Sequence, residues 1–187
     1  MKLLLASASP RRKELLSTLV PFDTVPSGFS EVETGAAREI VLRNARGKAE
    51  EVFARFPDCV VLGADTAVAL GDRIFGKPAD EKEAEQMLSF LSGKTHSVYT
   101  GVCLLGQYGK IERVVETKVL FKKLSKKTIQ NYIKSGSPLD KAGAYGIQDN
   151  VAVASFEGSY SNVVGLPLEA VEKMLKQYAE EHEVTYD

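Results

Sequence analysis

The sequence has few of the residues that build metal clusters or disulfide frameworks. Its two cysteines, Cys59 and Cys103, lie in separate apolar runs and show no CxxC spacing. We therefore expect buried thiols and no disulfide framework. Its two histidines, His96 and His182, stand singly along the chain, which argues against a zinc site of His and Cys ligands.

An excess of charge of either sign is also missing. The 24 Lys and Arg residues nearly balance the 25 Asp and Glu residues, for a formal net charge of −1. No global field would attract nucleic acid or an acidic membrane surface, so we predict neither partner and expect any basic site to be local. The apolar run in "MKLLLASASP" is too short for a signal peptide or a membrane span, and the predicted location is the cytoplasm.

Strand patterns occur throughout the 187 residues. Two short apolar strands are predicted at "KLLLA" and "CVVLGA". Two longer runs rich in β-branched residues, "THSVYTGVCLLG" and "RVVETKVLF", are separated by a glycine-containing turn and favour an antiparallel pair. The fold class that follows is α/β, with a mixed β-sheet flanked by helices in a single domain over residues 1–187.

Helical patterns lie between these strands. The first is predicted at Pro10–Leu19, and a long amphipathic helix at "GAAREIVLRNARGKAEEVFARF". Ser9 before Pro10 is typical of an N-cap followed by the first helical residue. The C-terminal "AEEHEVTYD" is expected to fray.

Three cations, Arg11, Arg12 and Lys13, follow Pro10 at the start of the first predicted helix. Positive charge is unfavourable there, because the helix macrodipole already makes its N-terminus positive. A bound anion would offset that cost, and free backbone N–H groups together with guanidinium groups suit a phosphate. The hydroxyls of Ser7 and Ser9 could also reach a phosphate, although Ser9 is better explained as the cap.

Helical spacing distinguishes Arg12 from its neighbours. It precedes Leu15, Leu16 and Leu19 by three, four and seven positions, so it shares their inward face. Lys48 is placed similarly, on the apolar stripe of the long helix. Each could instead extend its charged end past apolar neighbours into water.

Lys77 precedes Pro78 in "FGKP" and is predicted to be extended, which by itself is typical of a loop lysine. Together with Arg11, Arg12 and Lys48, however, it indicates a polyanionic ligand such as a triphosphate.

Carboxylates would supply the chemistry. Asp65 follows an apolar strand and two small residues in "VVLGADT", and we expect it at the end of that strand, where ligands of α/β proteins tend to lie. Thr66 could contact the same ligand. Glu31 and Glu33 in "SGFSEVE" are competing partners that spacing does not separate. One or two carboxylates with phosphate oxygens and waters are typical of a Mg²⁺ site.

Six segments, taken in order, resemble the Maf family of nucleoside triphosphate pyrophosphatases between Leu3 and about Leu168. These segments are "LLLASASPRRKELL", "LGADT", "GKP", "LSGKTHSVYTGV", "KAGAYGIQ" and "VVGLPL". The resemblance implies an inosine-triphosphatase-like fold, in which an elongated mixed sheet carries a cleft between two lobes. It also implies a homodimer that hydrolyses a nucleoside triphosphate to the monophosphate and pyrophosphate.

The resemblance also implies roles for individual residues. Asp65 takes the place of the proton acceptor, and Glu31 is favoured over Glu33 by its position after "SGF". These two carboxylates would hold a divalent cation, Mg²⁺ or Mn²⁺. The phosphate-binding positions fall on Ser7, Arg11, Arg12, Lys48 and Lys77. The positions that affect substrate choice fall on Arg12, Thr66 and Gln148.

The segment "DKAGAYGIQ" resembles the branch of the family that prefers dTTP and UTP. Gln148 offers an amide acceptor and donor that could pair with N3–H and O4 of thymine or uracil. Two alternatives stay open at this point. One is a 7-methyl-GTP pyrophosphatase, and the other is a nucleotide-binding regulator of septum formation without turnover.

Overall fold

The computed structural model describes residues 1–186. In chain order, the strands are β1 (Leu3–Leu5), β2 (Asp23–Thr24), β3 (Val60–Leu70), β4 (Arg73–Phe75), β5 (Thr95–Gly106), β6 (Gly109–Phe121) and β7 (Val153–Glu157). The helices are α1 (Pro10–Leu16), α2 (Ala37–Arg55), α3 (Glu81–Leu91), α4 (Lys126–Lys134), α5 (Tyr160–Val164) and α6 (Leu168–His182). Short 3₁₀ turns at Ser137–Asp140, Ala142–Ala144 and Ile147–Asp149 connect α4 to β7.

All seven strands form one mixed sheet. Its order is β2-β1-β3-β5-β6-β7, with β4 paired to β3. β1 runs parallel to β2 and β3, whereas β3, β5, β6 and β7 are antiparallel in succession. The predicted α/β class with a mixed sheet is confirmed. Within residues 1–186, no helix is long and apolar enough to cross a membrane.

The edge of β3 that faces β1 is left open in its middle. β5 covers the other edge continuously from Val61 to Ala69. On the open edge, β1 pairs only with residues 60–62 and β4 only with residues 68–70. Because β1 is parallel and β4 antiparallel to β3, the segments that follow both short strands emerge into this gap. The gap contains Asp65 and Thr66, so the topology makes a cleft in the middle of a long strand.

Buried side chains form separate cores on the two sides of this gap. The first half of β3 is packed on one face against α6 and on the other against α2. Its second half contributes Val68 to a different core with α3 and α4. Because the antiparallel strands run through both regions, they join two lobes around the cleft, as predicted.

Two glycines let helix α2 lie unusually close to the sheet. A Cβ atom on Gly63 would be 2.1 Å from the carbonyl oxygen of Ala45, and one on Gly101 would be 2.4 Å from that of Val41. Gly101 is also the β5 partner of Asp65. At Gly63, the missing side chain makes room for the backbone of α2.

Three predictions of local structure are wrong. The strand predicted to stop at Ala64 continues to Leu70, because β5 pairs with it throughout, so Asp65 lies in mid-strand. Helix α1 ends at Leu16 and not at Leu19. The hydroxyls of Ser17 and Thr18 donate to the carbonyl oxygens of Glu14 and Leu15 in the last helical turn, and such side-chain bonds compete with continuation of the helix.

The C-terminal segment is not frayed through residue 186. Helix α6 continues to His182, and the hydroxyl of Tyr186 returns to donate to the Leu175 carbonyl at 3.0 Å. Residue 187, the last of the segment predicted to fray, lies outside the described residues.

Candidate active site

A cavity of about 680 Å³ opens at the gap in the sheet. Segments from both lobes line it: the start of α1, the 31–33 segment, α2, β3, the turn after β4 and the 140–148 segment. The predicted site residues on its wall are Arg11, Arg12, Glu31, Lys48, Asp65, Thr66, Lys77 and Gln148. The topology thus brings together residues that are far apart in sequence.

Lys48 joins the two candidate carboxylates at the centre of the site. Its Nζ lies 2.9 Å from Asp65 Oδ1 and 2.6 Å from Glu31 Oε1. The side chain of Lys48 is only 11% exposed, so its inward orientation on α2 is the one expected from spacing. Burial raises the pKa of Glu31, but the hydrogen bond and charge of Lys48 outweigh it and leave that pKa below its ordinary value.

The carboxylate pair has the donor chemistry that a hard divalent cation requires. Glu31 and Asp65 converge on one ammonium group, so their oxygens face a shared space. Residues 1–186 contain no group of three or more His, Cys, Asp or Glu side chains that could hold a metal. A pair of carboxylates fits Mg²⁺ that completes its coordination with substrate phosphate and water, and does not fit a metal held by protein ligands alone.

Arg12 is held by neutral oxygens. Its Nε donates to the Gly165 carbonyl at 2.8 Å, and its Nη2 to the Thr66 hydroxyl at 3.1 Å. Within the described chain no carboxylate forms an ion pair with it. Burial lowers its pKa, while the more distant charges of Asp65 and Glu31 act in the opposite direction. The guanidinium is therefore fixed in position without a direct counter-ion, which suits a residue that binds an anionic ligand.

Arg11 spans the cleft. Its Nη1 lies 2.7 Å from Asp140 Oδ2, and its Nη2 donates to the Asp140 carbonyl at 3.2 Å. Burial raises the pKa of Asp140, but hydrogen bonds from Lys141 and Arg11 dominate and bring it to about 2. In this structure Arg11 thus has a carboxylate from the other lobe where a phosphate ligand was predicted.

The three remaining predicted residues, Ser7, Lys77 and Gln148, differ in how exposed they are to the cavity. Ser7 is buried behind Arg12 and accepts from Arg12 Nη1 at 3.4 Å, but it is not among the lining residues. Lys77 is exposed in the turn after β4, and its charge lowers the pKa of Glu31. Gln148 is also exposed at the cavity wall. Lys77 and Gln148 thus line the cavity, whereas Ser7 lies behind its wall, and the roles of all three stay predictions.

Sequence reasoning missed Asn44. This side chain is only 2% exposed. Its Oδ1 accepts from Val32 N at 2.7 Å, and its Nδ2 donates to Val32 O at 3.1 Å and to Asp65 Oδ2 at 3.0 Å. Asn44 therefore fixes the segment that carries Glu31 and the carboxylate of Asp65 with one amide. A signal was available, because Asn44 precedes Lys48 by one helical turn and lies on the same buried side of α2.

The segment that carries Gln148 is held in place by hydrogen bonds from the protein interior. The hydroxyl of Tyr132 donates to Asp149 Oδ2 at 2.5 Å and accepts from Gly146 N at 3.0 Å. Burial and the bond to Asp149 raise the pKa of Tyr132, so the hydroxyl keeps its proton. Tyr145 contacts His96 on the same side of the segment, with 2.8 Å between its hydroxyl oxygen and Nε2. Hydrogen bonds from Tyr132 and Tyr145 thus hold the cavity wall opposite α1 in place.

The chain matches the family model described as "Maf-like protein" over residues 2–178. A protein of Symbiobacterium thermophilum named dTTP/UTP pyrophosphatase is 47% identical over 95% of this chain and 94% of its own length. A Myxococcus xanthus protein of the same name is 52% identical over 89% of this chain and 87% of its own length. The Ham1 protein of Staphylococcus aureus superposes with a TM-score of only 0.42 and 16% identity, over 65% of this chain and 71% of that one. The extent of the family match and of the two sequence similarities shows that the chain belongs to the Maf family.

Proposed function

We propose that this chain hydrolyses dTTP and UTP to the nucleoside monophosphate and pyrophosphate. The observation that carries the proposal is the convergence of Arg11, Arg12, Lys48 and Lys77 with the carboxylate of Asp65 in one cavity. Cations suit the triphosphate, and a fixed carboxylate suits a proton acceptor. The names of the relatives, together with the identities given above, support the choice of substrate.

In the proposed reaction, water attacks the α-phosphorus and the bond to the bridging oxygen of the β-phosphate breaks. Asp65 accepts the proton of the water, and pyrophosphate leaves with the bond electrons. Lys48 and Asn44 each donate to a different oxygen of Asp65, so they orient the carboxylate while its other lone pairs stay available. A carboxylate held on a paired β-strand meets the geometric requirement of a general base.

The second requirement is that the negative charge on the departing pyrophosphate is neutralised. Arg12 is already oriented by Gly165 and Thr66, so binding a phosphate requires little reorganisation of its guanidinium. Arg11 would exchange the carboxylate of Asp140 for phosphate oxygens. A divalent cation held by Asp65 and Glu31 would supply further neutralisation of the phosphates when bound.

Gln148 provides the proposed basis for pyrimidine choice. Its amide can accept from N3–H and donate to O4, an edge that thymine and uracil share. Glycine at position 146 keeps this amide unobstructed, since a Cβ there would be 2.9 Å from Gln148 Nε2. The homodimer, the cytoplasmic location and the absence of nucleic-acid binding stay predictions.

The test is pyrophosphate release from the purified chain with Mg²⁺ or Mn²⁺. The substrates are dTTP, UTP, CTP, dGTP and 7-methyl-GTP. We expect turnover of dTTP and UTP, lost in Asp65→Asn and retained in Asp58→Asn, an isosteric change at an exposed turn. Binding of dTTP without turnover of any substrate would refute the enzymatic proposal. Turnover restricted to 7-methyl-GTP would refute the pyrimidine specificity.

A further inference from the structure

Two threonines lie opposite each other behind the cavity wall. Thr66 of β3 is paired with Thr100 of β5, and their hydroxyl oxygens are 2.9 Å apart. Thr66 lines the cavity, whereas Thr100 is completely buried and does not. Each hydroxyl has one proton to donate, so the direction of the bond between them depends on their other partners.

The proton of Thr100 is committed to helix α5. Its hydroxyl donates to the carbonyl oxygen of Asn162 at 3.1 Å. That carbonyl does not receive the amide of Leu166, which donates to Ser161 O instead at 3.0 Å. A buried carbonyl left unpaired is costly, so Thr100 satisfies it and can only accept from Thr66.

The other neighbours of Thr66 lead to the same direction. The Gly165 carbonyl lies 3.4 Å from its hydroxyl, farther than the 2.9 Å that separates the Thr66 and Thr100 oxygens, and it also accepts from Arg12 Nε at 2.8 Å. Arg12 Nη2 in turn donates to Thr66 at 3.1 Å. The proton of Thr66 therefore goes to Thr100 and one lone pair goes to Arg12, leaving one lone pair for a ligand.

We propose that Thr100 is a positioning residue that makes the Thr66 hydroxyl a hydrogen-bond acceptor toward the bound nucleotide. Because N3–H of the base is assigned to Gln148, the site then selects a nucleoside whose sugar presents an O–H donor to Thr66. This inference rests on the proposed function, because it assigns a recognition role within that same cavity.

The test compares Thr100→Val, which keeps the β-branched shape, with Thr100→Ser, which keeps the hydroxyl. We expect Thr100→Val to raise KM for dTTP about tenfold with little change in kcat, the size of one lost hydrogen bond to substrate. Thr100→Ser should restore KM. In a Thr66→Val background, Thr100→Val should have no further effect, since Thr100 acts through Thr66. An unchanged KM in Thr100→Val, or an equal rise in both backgrounds, would overturn the proposal.

A second arm does not depend on the folding of Thr100→Val. Wild type and Thr66→Val are assayed with dTTP, with its 3′-deoxy derivative and, as a control for the base edge, with its N3-methyl derivative. We expect wild type to disfavour the 3′-deoxy derivative, which lacks the sugar donor, and Thr66→Val to lose that discrimination. Both proteins should disfavour the N3-methyl derivative, because N3–H is assigned to Gln148. Equal use of dTTP and its 3′-deoxy derivative by wild type, or that discrimination retained in Thr66→Val, would overturn the proposal. Failure of the proposed function is distinct, because wild type would then not turn over dTTP at all.

Discussion

Acid should destabilise this protein through the buried imidazole of His96. The imidazole is 2% exposed and lies edge-on to Phe121 and Tyr145. Burial lowers its pKa from 6.5 to about 4. A proton on His96 would place a charge among the buried aromatic rings of Phe121 and Tyr145. In the unfolded chain the same charge would be solvated by water, so protonation favours unfolding.

The sign and size of the effect follow from that difference in pKa. The unfolded chain binds a proton near pH 6.5 and the folded chain only near pH 4. The stabilisation is therefore complete above pH 6.5 and is lost as pH falls toward 4. Each pH unit within this window costs about 1.4 kcal/mol, so the free energy of unfolding should fall by about 2 kcal/mol on reaching roughly pH 5.

Urea unfolding at several pH values between neutrality and about pH 5 measures this loss. His96→Gln retains a hydrogen-bonding side chain opposite Tyr145 but cannot be protonated, so its free energy of unfolding should be nearly constant over that range. Tyr145→Phe is the matched control, since it removes the hydrogen bond and keeps the buried imidazole, and it should preserve the acid loss. The same pH dependence in His96→Gln and wild type would refute the reasoning.

Three further predictions concern the cleft. Asn44→Ala removes the donor to Asp65 Oδ2, so kcat for dTTP should fall about tenfold or more while KM changes less; a larger effect on KM would contradict a role in orienting Asp65. Asp140→Asn removes the carboxylate that competes for Arg11, so calorimetry should show pyrophosphate binding several-fold more tightly, and weaker binding would contradict competition. Gly101→Ala forces a Cβ to within 2.4 Å of the α2 backbone and should lower the free energy of unfolding by about 1–3 kcal/mol, measured in urea; wild-type stability would contradict the tight contact.

The parts of the site that could be predicted from sequence are those whose residues break a local rule. Lys48 on an apolar helical stripe and Arg12 among leucines are such violations, and both side chains are directed inward in the structure. Asp140 could not be found in this way. It contacts Arg11 across 129 positions of sequence, and although it begins the "DKAGAYGIQ" segment, it breaks no local rule that would mark it as the partner of Arg11. Its role depends on how the two lobes face each other, which local spacing does not determine.

Strand β3 continues past the end predicted for it, and this continuation explains how the position of Asp65 is fixed. A carboxylate in a loop after a strand would depend on loop contacts for its position. Asp65 instead lies in a strand whose backbone is paired with Gly101 on one side, while the gap in pairing on the other side leaves it open to the cavity. The same glycine brings α2 close enough for Asn44 and Lys48 to reach the carboxylate. Because strand, helix and carboxylate are fixed by the same packing, a change at Gly101 should impair the site through geometry even though glycine contributes no functional group.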